Sequence, residues 1–71
     1  MEKIYVINPW SRVRVAIDPA EVTQEKLDGM VLERGVCEEI HREGDADTPG
    51  EFFRRYAELV GPEAAGHAWF S

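Results

Sequence analysis

Between Cys37 and Glu51 the chain reads CEEIHREGDADTPGE, setting one thiol and one imidazole among six carboxylates. Residues of these types serve metal binding, thiol catalysis, acid–base work or electrostatic docking. A structural zinc site takes four ligands, commonly paired cysteines and histidines. Here there is one cysteine in all, and the two histidines, His41 and His67, lie in different segments. Cys37, His41 and Asp45 recur at intervals of four, which aligns them only on an unbroken helix. Gly44 and the polar tract after it argue against a helix running through position 45. No metal site is expected. A nucleophilic thiol needs a base and a cationic setting. Cys37 is followed instead by Glu38 and Glu39, which raise a thiol's pKa. On an extended strand Cys37 and His41 would also stand ~13 Å apart, at ~3.3 Å per residue. Neither a glycine-rich phosphate loop nor a GxSxG elbow occurs. The expectation is a chain without catalytic residues or a cofactor.

Docking remains. Net charge is −6, from 14 acidic and 8 basic side chains. Nucleic-acid affinity rests on cations that displace phosphate counterions, so direct nucleic-acid binding is not expected. An acidic domain is steered toward basic surfaces. The plainer role of such charge is solubility. Glu38, Glu39, Glu43, Asp45 and Asp47 fall in a polar stretch with few apolar anchors, and a charge run of this kind is ordinarily a solvated face. Trp10 sits in a turn, where it serves either as a lid over a hairpin end or as an interface anchor. Together Trp10, Glu38, Glu39, Glu43, Asp45 and Asp47 form the expected partner-binding set. Arg12 and Arg14, and Arg54 and Arg55 beside Glu58, read as solvated charges that pair locally.

The elements that must carry these residues follow from pattern. KIYVIN, with its unbroken apolar centre, predicts a strand buried on both faces and so central. NPWS supplies a turn, with Asn8 opening it, Pro9 fixing φ and Ser11 closing it. RVRVAID alternates, Val13, Val15 and Ile17 facing one way and Arg12, Arg14 and Ala16 the other. An antiparallel hairpin with a basic wet face results. Asp18-Pro19-Ala20-Glu21 is a helix start, and Thr23 is a second possible cap. Leu27, Met30 and Val31 would then share a stripe that ends at Gly35. Asp28-Gly29 is also a strong hairpin turn, so residues 22–34 read as a helix, with a hairpin about Gly29 as the rival. VCEEIHR after a glycine predicts an edge strand, its glutamates guarding against stray pairing. Thr48-Pro49-Gly50-Glu51 is a capping box. The helix it opens carries Phe52, Tyr56, Leu59 and Val60 as a core stripe and ends at Gly61-Pro62. The expected order is β-β-α-β-α, an α+β domain over 1–71 with both helices on one face of the sheet.

At 71 residues the chain makes one small domain, burying about 60% of its unfolded surface. One cysteine rules out an internal disulfide, and completion by a partner or a second copy, a homodimer, is in keeping with so small a core. The opening Met-Glu-Lys shows no cleavable signal, and no apolar run approaches the ~20 residues of a membrane span. A cytoplasmic protein without membrane contact is expected.

In size, acidity, cysteine content and α+β layout the chain resembles the small proteins that bacteriophages encode against host machinery, the anti-CRISPR proteins among them. That resemblance implies a stoichiometric inhibitor, active in the host cytoplasm against a basic nucleic-acid-handling or defence protein. An antitoxin or immunity protein neutralising a basic toxin shares the same physics. A small phage virion subunit, with Trp10 and Trp69 in a homomeric interface, is the reading from a different class.

Overall fold

A computed structural model describes residues 3–44 and 46–70. The hairpin forms where alternation predicts it. Strand β1 (Ile4–Ile7) pairs antiparallel with β2 (Arg14–Ile17), placing Ile4 opposite Ile17 and Val6 opposite Val15. Val6 and Ile17 are buried on the inner face, while Tyr5, Arg14 and Ala16 are exposed on the other. The Arg14 guanidinium lies 4.3 Å from the Tyr5 ring centroid. In the turn, Asn8 Oδ1 accepts from the backbone N–H groups of Trp10 (2.9 Å) and Ser11 (3.1 Å). Arg12 completes it with φ 61°, a left-handed conformation that costs an L-residue roughly 1–2 kcal/mol. Its N–H donates to the Asn8 carbonyl at 2.8 Å, and its guanidinium pairs with Glu63 at 2.7 Å.

β1 is not central. Among the described residues it has one strand neighbour, β2, and its far edge is taken by a helix, α4 (Pro62–Phe70). Gly66 of α4 rests on the Ile7 carbonyl so closely that a Cβ there would sit 2.0 Å from the oxygen. The apolar run of β1 thus reflects a helix at its edge rather than a third strand.

The next segment is neither the long helix nor the hairpin about Gly29. Both caps act, in series. Asp18 accepts from Ala20 N–H and caps a 3-10 turn over Pro19–Glu21, and Thr23 accepts from Lys26 N–H and caps the short α1 (Gln24–Asp28). Gly29 stops α1, its N–H returning to the carbonyls of Glu25 and Lys26. With the helix cut short, the expected stripe dissolves: Leu27 is buried but Val31 is 67% exposed.

The expected edge strand at 36–42 is a helix, α2 (Arg34–Glu43). Val36, Cys37 and Ile40 recur at three and four and turn inward, which is the helical rather than the strand period. The start carries no side-chain cap, and Gly35, expected as a stop, lies within the first turn. Capping comes from elsewhere in the fold, since the buried Tyr56 hydroxyl accepts from Glu33 N–H at 3.0 Å. Gly44, at φ 69°, ends the helix in the left-handed region that glycine tolerates.

α3 (Pro49–Val60) starts as predicted, with Thr48 Oγ1 accepting from Glu51 N–H at 3.2 Å. Glu51 reaches back one residue further than a capping box requires, accepting from Asp47 N–H at 3.2 Å. Phe52 and Tyr56 are buried as expected, but the stripe is rotated. Phe53 and Ala57 are core, whereas Leu59 is 42% exposed. Gly61 then ends α3, and Pro62 opens α4 at once. Val6, Ile17, Val22, Leu27, Ile40, Phe52, Phe53, Tyr56, Ala57, Ala65 and Ala68 form one core. The α+β class stands, with the described α-helices and strands in the order β-β-α-α-α-α instead of β-β-α-β-α.

Candidate acidic docking site

Two cavities meet at Thr48, beside the N-terminus of α3. The first, about 330 Å³, has an apolar floor of Leu27, Leu32 and Phe52 and takes in Asp28, Cys37, His41 and Asp47. The second, about 420 Å³, is lined by Asp18, Pro19, Val22, Glu51 and Arg54. Gly50 brings the two together. The Pro19 carbonyl lies where a Cβ on Gly50 would come within 1.8 Å of its oxygen, so the 3-10 turn is seated on the first turn of α3. Asp18, Asp28, Asp47 and Glu51 therefore frame one helix N-terminus. Carboxylates are favoured there because the terminal N–H groups carry partial positive charge. None of these four makes an ion pair among the described residues, and neither do Glu39, Glu33, Glu25 and Glu21. Arg12, Arg34, Arg54 and Arg55, by contrast, are already paired with Glu63, Glu38, Glu58 and Glu43.

The expected partner-binding set is only partly assembled. Asp47 lies on the rim of the first cavity. Glu38 and Glu39 are on the exposed side of α2, outside both cavities, and Glu38 is held by Arg34 at 3.1 Å. Glu43 is bound by Arg55, which also reaches Glu58. Asp45 lies outside the described residues. Trp10 belongs to the hairpin tip, 65% exposed, with its ring tilted on His67 at 4.6 Å between centroids. It shares neither cavity with the carboxylates.

The helical α2 brings Cys37 and His41 one turn apart, on the wall of the same cavity, in place of the separation expected of a strand. Burial, reinforced by Glu38, pushes the Cys37 thiol up. A thiol so placed stays protonated at neutral pH and is a poor nucleophile. His41 packs on Phe52, with ring centroids 5.2 Å apart. Among the described residues no cluster of three or more His, Cys, Asp or Glu side chains is arranged to hold a metal ion, and no helix is long and apolar enough to cross a membrane.

Compared with protein-family models, curated proteins and solved structures, the chain matches none.

Asp18, Asp28 and Glu51 were absent from the expected set. Two of them were visible as helix caps, Asp18 and Glu51, and the proline-glycine pair at 49–50 was visible too. What joins them is the approach of Pro19 to Gly50, a contact across about 30 residues that no local pattern encodes. The chemistry of the assembled rim is that of fixed negative charge over an apolar floor. That combination suits a Lys or Arg side chain, whose hydrocarbon stem covers apolar surface while its cationic head stays at the polar edge.

Proposed function

We propose that this chain is a non-enzymatic protein-binding inhibitor that docks its acidic surface on a basic protein. The observation that carries the reading is the convergence of Asp18, Asp28, Asp47 and Glu51 around the N-terminus of α3, none of them in an ion pair among the described residues, with Arg54 the one cation lining the two cavities. The raised Cys37 pKa, beside the same cavity, speaks against thiol chemistry at this place. The class of partner follows from charge. A host protein that handles nucleic acid, or serves in defence, presents the Lys and Arg rows such a rim fits, and blocking those rows excludes phosphate backbones. This is the mode of action expected of a phage-encoded inhibitor working in the host cytoplasm.

Affinity capture from a bacterial lysate should return a single stoichiometric partner with a Lys- and Arg-rich surface. Reversing Asp28 and Asp47 to Lys should then slow association by about tenfold or more, since steering by complementary charge acts chiefly on the on-rate. Rising salt should weaken the same complex, because exposed charges are screened over ~8 Å at physiological ionic strength. A complex indifferent to both charge reversal and salt would show that the rim is not the docking surface.

A further inference from the structure

The two edges of the sheet differ. At β1, α4 occupies the outer edge, with Gly66 against the Ile7 carbonyl. At β2 the outer edge is open. Which backbone groups face it follows from the hairpin register. Asn8 N–H donates to the Val13 carbonyl at 3.0 Å, and bonded pairs alternate along an antiparallel ladder. With Ile7 opposite Arg14 and Val6 opposite Val15, residues 13, 15 and 17 direct their backbone groups to β1. Arg14 and Ala16 direct theirs outward. Both residues are exposed, and neither has a further hydrogen-bond partner among the described residues.

Sheet edges are normally guarded by proline, a bulge or a projecting charge. β2 has no proline, and its paired register is continuous. Its one charged side chain, Arg14, is folded back over Tyr5 of the neighbouring strand. Its guard is shortness, four residues, and its outward backbone groups stay accessible.

We infer that β2 pairs antiparallel with β2 of a second copy about a two-fold axis at Val15. In that register Arg14 stands opposite Ala16 of the other copy, so all four outward backbone groups are used, in four hydrogen bonds. Val13, 55% exposed in the single chain, comes to face Ile17 of the other copy on the inner side. Arg14 lies diagonal to both Asp18 and Arg14 of the other copy, so charge neither favours nor forbids the register. The pairing is self-complementary in hydrogen bonding and apolar cover. It also closes, because α4 blocks the remaining edge of each copy. The product is a four-stranded sheet, β1-β2-β2-β1, and not a fibre.

Sedimentation equilibrium should give a mass twice the 8.1 kDa of one chain. Ala16→Pro removes an outward N–H while leaving the bonds to β1 untouched, and it should raise the dimer dissociation constant about tenfold or more. Because that variant can also disturb folding, register is tested separately in a Cys37→Ser background. Val15→Cys pairs with itself across the axis at a non-bonded site, where Cα atoms stand ~4.5 Å apart and within disulfide range. Mild oxidation should yield a covalent dimer with Val15→Cys and none with Ala16→Cys. A protein that is monomeric at every concentration, a dimer whose affinity Ala16→Pro leaves unchanged, or failure of Val15→Cys to cross-link would each overturn the inference.

Discussion

Gly66 and Cys37 show how single atoms decide this structure. At Gly66 a methyl group would be driven into the Ile7 carbonyl, and the obstacle is backbone on a paired strand that has little room to retreat. Gly66→Ala should therefore destabilise the fold by about 1–3 kcal/mol or more, as overpacking does. Thermal melting is the measurement, and an unchanged melting temperature would mean that α4 does not close the edge of β1. At Cys37 the shift is upward, from burial first and Glu38 second. The folded thiol holds its proton at a pH where the unfolded thiol has lost it. Stability contributed by this group is thus complete below the unfolded value of ~8.5 and declines as pH rises through the folded value. Iodoacetamide should alkylate Cys37 more slowly in the folded protein than in the urea-unfolded chain at the same mildly alkaline pH. Faster reaction in the folded state would reverse the assigned direction.

Among the elements, α2 and α3 repay comparison because one was legible in the sequence and the other was not. α3 announces itself locally, through Thr48, Pro49 and Glu51, and begins at Pro49 as those residues predict. α2 does not. It lacks a cap of its own, begins with a glycine in its first turn, and depends on a hydroxyl from Tyr56, 23 residues further on. Local reading could place neither that bond nor the Pro19–Gly50 approach that assembles the acidic rim. The hairpin and its turn were readable, as were the caps at Asp18 and Thr23. The burial of α3 was not fully so. Phe53 and Leu59 are both apolar on the same helix, and only the placement of β1 and α4 around it decides which faces inward. Phe53→Ala should cost about 3–5 kcal/mol, while Leu59→Ala should fall nearer the ~0.5 kcal/mol typical of exposed positions. Tyr56→Phe keeps the packing but strands the Glu33 N–H, for a loss of about 1–3 kcal/mol. Urea denaturation of the three variants ranks them. Equal losses at 53 and 59 would contradict the rotated stripe.

Taken as a whole, the molecule carries more negative charge than its ion pairs absorb. The pairs that do form are exposed, such as Arg12 with Glu63 and Arg34 with Glu38, and pairs of that kind contribute only about 0–1 kcal/mol each. With a net charge of −6, and with Asp18, Asp28, Asp47 and Glu51 in no ion pair among the described residues, repulsion is expected to outweigh these exposed pairs. Moderate salt screens both, and relief of repulsion should win. The melting temperature is expected to rise with added salt, by about 4–8 °C for each 1 kcal/mol gained in a domain of this size. A fall with salt would show that the ion pairs dominate instead.

The seal that α4 places on β1 also has a history in time. Ile7 leaves the ribosome about 60 residues ahead of Gly66, which at ~5–20 residues per second is an interval of several seconds. Throughout it, β1 has no cover for its outer edge, and a hairpin of two short strands has little stability to hold it in place. The nascent chain is therefore expected to lack stable structure until α4 arrives. Stalled chains ending at Gly61 should accordingly be digested by protease as readily as the urea-unfolded protein, whereas chains extended past Phe70 and clear of the exit tunnel should resist it.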